Sequence, residues 1–284
     1  MVIVRVETDA ISAELLPEVG ARLHRLRAFG HDLLRTPDDP ATHARDPFFW
    51  GAYVLAPWAN RLTAGPMETA GRSVDLPTNF ADGSAIHGQV YDRGWHHDGE
   101  RFSIAAGGDG WPWRYEVGSR ATADGSTLRL TYTLLNRSDA PMPAGLGLHP
   151  WWRRPVEVAI AARSVYPTTT DSPATPEPVR GRFDRRALGP MPSGIDAAWT
   201  DVDDPAVELR WPDSGVALTM RATGPDVHVV AASPPDLDAV AVEVQTHAPQ
   251  GLRRLERREP GALMLLDPGS ALSLTIELIA RRGI

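Results

Sequence analysis

Residues 127–134, TLRLTYTL, and residues 271–278, ALSLTIEL, decide the fold class. In the first stretch Leu128, Leu130, Tyr132 and Leu134 alternate with Arg129, Thr131 and Thr133. In the second, Leu272, Leu274, Ile276 and Leu278 alternate with Ser273, Thr275 and Glu277. A period of two sends one set of side chains to a core and the other to water, which is the pattern of a half-buried strand. Weaker versions occur at residues 2–6, 21–27, 102–105, 114–118, 156–160, 207–210, 216–220 and 227–231. Helical patterning is confined to residues 252–258, enough for one or two turns. The 26 prolines and 25 glycines fall between these stretches, as turns between many short strands would. The pattern predicts an all-β chain of many short strands. Residues 168–178, TTTDSPATPEP, have strand patterns on both sides and read as a long loop, so residues 1–284 read as one domain. Residues 36–47 read as a second polar loop.

Composition removes several kinds of chemistry. The 284 residues include no cysteine, and all 29 positive side chains are arginine. Disulfides, thiolate nucleophiles and cysteine-ligated metals are excluded. So are lysine Schiff bases and the usual phosphate-binding loop, which needs a lysine. A net charge of −7 lacks the basic excess that nucleic-acid binding requires. The N-terminus does not read as a signal peptide, and no apolar run approaches the roughly 18 residues of a membrane span. The expected compartment is therefore the cytoplasm, with no membrane partner.

Three segments concentrate polar groups beside glycine and aromatic residues. The first runs from Ala56 through Pro57, Trp58, Ala59, Asn60 and Arg61 to Leu62, and continues at Ile86-His87-Gly88 with Trp95 downstream. The second is residues 145–152, GLGLHPWW. As a strand it places Leu146 and Leu148 on one face and Gly145, Gly147 and His149 on the other. Glycine within a strand marks the close approach of a ligand or of another backbone. The third is residues 240–249, VAVEVQTHAP. Here Val240, Val242 and Val244 share a face opposite Glu243, Gln245 and His247, a set suited to the floor of a polar cup.

Together these segments resemble the aldose 1-epimerase (galactose mutarotase) family. Asn60-Arg61, after Pro57 and before Gly65, resembles its Asn-Arg motif. Ile86-His87-Gly88 resembles its His-Gly motif, and Leu148-His149-Pro150-Trp151 its His-Pro-aromatic motif. Residues 243–249 are similar to its glutamate-bearing strand, residues 17–30 to its opening hairpin, and Gly194-Ile195-Asp196 to the site of a sugar-binding aspartate. The matches fall in the family's order. Departures occur at Trp151-Trp152, where Tyr-Phe is common, at His228, where glutamine is common, and in the residues around Asp196.

The resemblance implies an all-β, large and mostly antiparallel β-sandwich of the galactose mutarotase-like type, and an isomerase that interconverts the α and β anomers of a free aldose. It implies Glu243 as general base and His149 as general acid. Asn60, Arg61, His87 and Asp196 would contact the sugar, and Trp151 or Trp95 would stack on it. No cofactor, metal or covalent intermediate is required. Three other readings stay open in the sequence. A phosphosugar epimerase would need an arginine cluster from Arg22, Arg25, Arg27, Arg153 and Arg154. A non-catalytic sugar-binding domain would keep the fold without turnover. A cupin-like metal enzyme would need His87, His149 and His247 to converge.

Overall fold

The computed structural model describes residues 1–283. The two stretches that define the strand pattern are neighbours in space. Strand Thr127–Asn136 pairs antiparallel with strand Ala271–Arg282, setting Leu130 opposite Ile276 and Leu128 opposite Leu278. Their apolar faces are buried together, whereas Arg129 stays exposed and pairs with Glu277.

Eighteen strands join in one continuous, curled sheet. One layer holds Trp111–Asp124, Thr127–Asn136, Ala271–Arg282 and Val216–Thr223 as successive antiparallel neighbours. The other holds Ala52–Leu55, Gly147–Arg153, Ala239–Gln245 and His228–Ala232. Strand Asp196–Trp211 links the layers. Its first residues pair with His228–Ala232 and its last with Val216–Thr223. A single hydrophobic cluster lies between the layers, with Leu130 and Leu274 from one side and Leu148, Trp152 and Val242 from the other.

Each of the weaker alternating stretches lies in or overlaps a strand. The helical turn is observed as Gly251–Arg257. Residues 168–178 are irregular apart from Glu177–Pro178. They are held by buried Arg254, which donates to Ser172 Oγ and to the carbonyls of Pro173 and Ala174. The stretch 36–47 is more than a polar loop. It contains helix Thr42–Arg45, which buries His43 against His24, with Nδ1 of His24 2.9 Å from Nε2 of His43. No helix among the described residues is long and apolar enough to cross a membrane.

Candidate active site

The register of four strands builds the site. Gly147–Arg153 pairs with Ala239–Gln245 so that Leu148 faces Val244 and Trp151 faces Ala241. The same register places His149 opposite Glu243. On the other side of Gly147–Arg153, His149 pairs directly with Tyr53 of Ala52–Leu55. Directly opposed residues of antiparallel strands project from the same face, so Tyr53, His149 and Glu243 form a row. Leu148, Trp152, Val240, Val242 and Val244 enter the core on the opposite face. Ala239 and Ala241 flank Glu243 on the row's own face, where small side chains leave room for a cavity.

Within the row, His149 Nε2 lies 3.1 Å from Glu243 Oε1. Both residues are almost fully buried, and neither His149 Nδ1 nor Glu243 Oε2 has a hydrogen-bond partner. Burial pushes the Glu243 carboxyl well above the usual carboxylate range. Nearby Asp196 adds to this, and Arg61 opposes it. Burial also lowers the imidazole of His149 to about 3. Both shifts favour neutral groups. The two atoms are placed to share a proton across the Oε1···Nε2 contact, and burial favours the carboxyl as its holder.

The Asn60-Arg61 and His87-Gly88 motifs meet beside this pair. Arg61 pairs with Ile86 in a two-residue ladder, and the His87 N–H donates to the Asn60 carbonyl at 3.1 Å. Asn60 and His87 both hold left-handed backbones, with φ of 55° and 65°. For histidine this conformation is strained and persists only where the surroundings enforce it. Gly88 is required by close packing. Its φ is +77°, and a Cβ there would lie 1.9 Å from the Ala56 carbonyl oxygen. His87 Nδ1 accepts the Asn60 N–H at 3.2 Å, so the ring's proton is on Nε2. The ring stands edge-on to His149 at a centroid distance of 4.9 Å. The Asn60 side-chain oxygen accepts the Arg61 N–H at 2.8 Å, which leaves its amide NH₂ for other partners.

Arg61 is held by two carboxylates and a hydroxyl. Its Nε donates to Asp82 at 2.6 Å, and its Nη1 lies 3.3 Å from Asp196 and donates to Thr169 Oγ1 at 2.6 Å. The Thr169 hydroxyl in turn donates to Asp196 at 2.7 Å. Asp196 opens the long strand Asp196–Trp211, and its pairing with Ala232 carries it to the cavity edge.

An aromatic wall closes the other side. The Phe48 carbonyl accepts hydrogen bonds from both the Tyr53 hydroxyl and the Trp151 indole N–H. Trp151 packs on His149 at 5.1 Å and on Phe49 at 5.7 Å. Phe80 stands edge-on to Phe48. The resulting cavity measures about 270 Å³ and is lined by all of Asn60, Arg61, His87, His149, Trp151, Asp196 and Glu243. Its size lies near the lower end of small-molecule sites, roughly 300–1,000 Å³, and suits one sugar ring.

Several sequence expectations differ from the observed placement. His247 lies beyond the end of strand Ala239–Gln245, so strand parity does not extend to it. Its Nε2 accepts the Ala59 N–H at 2.9 Å and its Nδ1 donates to the Ala248 carbonyl. It is a packing histidine and does not converge with His87 and His149. Gln245 also turns away from the cavity and donates to the His247 carbonyl. The glycines before His149 make room for protein and not for a ligand. A Cβ at Gly145 would strike the His247 ring, and one at Gly147 would crowd Leu55 and Gln245. Trp95 is a core residue that donates to the Val90 carbonyl. His228 is buried against Tyr166 and does not line the cavity. The sequence reading missed Phe48, Phe49, Tyr53, Phe80 and Thr169. The Phe48-Phe49-Trp50 run directly after a polar loop was the available signal.

Comparison with known proteins agrees with this architecture. The family model for aldose 1-epimerase matches residues 3–278. No protein of curated function matches the chain. Among solved structures, a galactose mutarotase-like protein from Clostridium acetobutylicum superposes with a TM-score of 0.84 at 17% identity, over 98% of this chain and 95% of its own. A candidate aldose 1-epimerase from Escherichia coli K12 gives 0.82 at 20% identity, with 99% of each chain covered. The galactose 1-epimerase of Lactobacillus acidophilus NCFM gives 0.76 at 17% identity, over 99% of this chain and 94% of its own. At these identities the likeness is one of fold, and the family match extends over nearly the whole sequence: the chain belongs to the aldose 1-epimerase family.

Proposed function

We propose that this protein interconverts the α and β anomers of a free aldose by acid–base ring opening. The observation that carries the reading is the His149–Glu243 pair, two buried groups 3.1 Å apart that both line a sugar-sized cavity. Anomer exchange needs a base at the C1 hydroxyl and an acid at the ring oxygen together. A pair with one proton supplies both without drawing on solvent.

In this reading Glu243 takes the C1 hydroxyl proton while His149 protonates the ring oxygen. The C1–O5 bond breaks, the C1–C2 bond rotates, and the reverse transfers close the ring on the other carbonyl face. Burial favours the proton on Glu243, so substrate binding must move it to His149. Hydroxyl donors on a carboxylate stabilise its ionised form, and Arg61 acts in the same direction. The move is internal to the pair. Asn60, Arg61, His87 and Asp196 bind sugar oxygens, and Trp151 covers an apolar face of the ring. Groups of this kind each contribute roughly 10²–10⁴-fold, which suffices because mutarotation already proceeds in water.

The test is anomer exchange followed by NMR with glucose, galactose, other common aldoses and glucose 6-phosphate, with Glu243→Gln as control. Acceleration of one free sugar, lost in the variant, is the expected result. Binding without exchange would instead assign a non-catalytic sugar-binding role.

A further inference from the structure

The catalytic row continues behind His149. Strand Arg22–Ala28 pairs with Ala52–Leu55 through Leu23 and Ala52, and one further step of that register sets Arg22 opposite Tyr53. Arg22, Tyr53, His149 and Glu243 therefore lie side by side across four adjacent strands. The contacts follow this order. The Arg22 guanidinium sits 4.5 Å from the Tyr53 ring centroid. The Tyr53 ring stacks on His149 at 4.6 Å with an interplanar angle of 21°. The Tyr53 hydroxyl donates to the Phe48 carbonyl at 3.1 Å, and the ring's packing between Arg22 and His149 sets the plane of the stack.

Arg22 is unusual as a structural residue. It is fully buried, and its hydrogen bonds go to the carbonyls of Trp50, Pro47 and Tyr91. Among the described residues no carboxylate forms an ion pair with it, and its Nε has no partner. A buried charge with no carboxylate in contact is costly to keep, and Asp92 and Asp46 offset only part of that cost from a distance. Its field is little screened, and the group next in the row beyond Tyr53 is the imidazole of His149.

From this arrangement we infer that Arg22 and Tyr53 are positioning residues for His149. Tyr53 fixes the ring plane, and the Arg22 charge makes the imidazolium a stronger acid toward the ring oxygen. The inference rests on the anomerase reading of the site. An ether-like ring oxygen is weakly basic, so a histidine that gives up its proton readily is the more useful donor. Other groups around His149 do not supply this push from behind. Glu243 faces its Nε2, His87 meets it edge-on, Trp151 packs at its side, and Arg61 acts from the cavity. Arg22 stays cationic near neutrality, although burial lowers it to about 10.

Two experiments on the full chain test the inference. In the first, anomer exchange kinetics compare Tyr53→Leu with Tyr53→Phe. Loss of the stack should lower kcat about tenfold or more while KM stays within about threefold, and phenylalanine should recover most of the loss, since orientation acts on the chemical step. A loss carried by KM alone, or equal losses in the two variants, would overturn the role of Tyr53. In the second, His149 is followed by NMR of its ring Cε1–H between about pH 5 and 8, assigned with His149→Asn. The wild type and Arg22→Lys should stay unprotonated through that window, whereas Arg22→Met should begin to protonate at a higher pH than either, with burial still holding its midpoint below the ordinary 6.5. An Arg22→Met spectrum unchanged from wild type would overturn the role of Arg22. Arg22→Gln is a second neutral variant should Arg22→Met not fold. The NMR arm needs no turnover. A wild type inactive on every sugar would remove the proposed function and still leave the Arg22–His149 coupling decided.

Discussion

Nε2 of His149 and Oε1 of Glu243 meet at 3.1 Å, while the outer atoms of both groups, Nδ1 and Oε2, are buried without partners. Unpaired buried polar atoms are costly, and a ligand hydroxyl in the cavity is the natural partner for the Glu243 oxygen. The pair should act as a unit. Glu243→Gln and His149→Asn should each lower kcat by roughly 10²–10⁴-fold, and the double variant should be little worse than either alone. Exchange kinetics of the three variants check this. A fully active Glu243→Gln protein would remove the assignment.

The same substitution should stabilise the fold. The folded protein holds the Glu243 carboxyl far above its ordinary value of 4.5. A raised carboxyl keeps a proton that the unfolded chain releases, so its contribution is present at low pH and lost as pH rises. Glutamine is neutral at every pH. Glu243→Gln should therefore have a higher Tm than wild type near neutrality, with the difference closing on acidification toward 4.5. A Tm difference independent of pH would contradict this.

Histidine burial predicts the opposite trend for the whole chain. His24, His43, His87, His149, His228 and His247 all titrate below the ordinary value of 6.5, with burial the first cause in each. The folded protein keeps them neutral, and the unfolded chain protonates them as pH falls through 6.5. The unfolded state then binds more protons, so stability falls with pH below that point. Six such groups outnumber the single opposing carboxyl of Glu243. Tm should decline steeply from about pH 6.5 downward. A Tm that stays flat to about pH 4.5 would show that these side chains are not buried as described.

The two alternating stretches made the all-β class legible because their faces differ in solvation along their whole length, and the family resemblance supplied the sandwich. Asn60, Arg61, His87, His149, Asp196 and Glu243 were singled out through the family resemblance of their motifs, and all six line the same cavity. Tyr53 and Phe48 carry no comparable mark. Their place in the cavity depends on the pairing of Ala52–Leu55 with Gly147–Arg153, and residues 52–55, AYVL, show no alternation since both faces are buried. His247 misled for a related reason: parity holds only while the strand does, and the strand stops at Gln245. The glycines at 145 and 147 were legible as sites of close approach, but sequence does not say whether a ligand or a side chain approaches.

Trp151 offers a direct test of the aromatic wall. Its indole is fixed by the Phe48 carbonyl and packed between His149 and Phe49. Trp151→Leu should raise KM several-fold, in line with a single aromatic contact of roughly 0.5–1.5 kcal/mol. An unchanged KM would sink the stacking role.

Thr169 joins two sugar-binding candidates through one hydroxyl, accepting from Arg61 and donating to Asp196. It is fully buried on a loop whose only sequence signal was its polarity. Without the hydroxyl, Arg61 and Asp196 lose their shared anchor but stay close enough to pair. Thr169→Val should raise KM several-fold with a smaller change in kcat, because a net hydrogen bond is worth about 1 kcal/mol. Thr169→Ser should recover wild-type kinetics. Equal defects in both variants would point to loop packing.

Charge in the cavity decides between free and phosphorylated sugars. Arg61 is the arginine that lines it, and Asp82 and Asp196 already neutralise that charge. Arg22 is buried behind Tyr53, Arg25 and Arg27 pair with Asp32, and Arg154 donates to Ser233 Oγ and the Ala239 carbonyl. Arg153 is exposed and lies outside the cavity lining. A phosphate entering here would meet Asp196 without a free guanidinium to compensate. For the best free aldose, kcat/KM should exceed that of its 6-phosphate by about tenfold or more, the equivalent of about 1.4 kcal/mol. Asp196→Asn should narrow the gap by removing the repulsion. A 6-phosphate turned over faster than the free sugar would instead require the phosphate to reach a cation beyond the cavity rim, and would replace the free-aldose assignment.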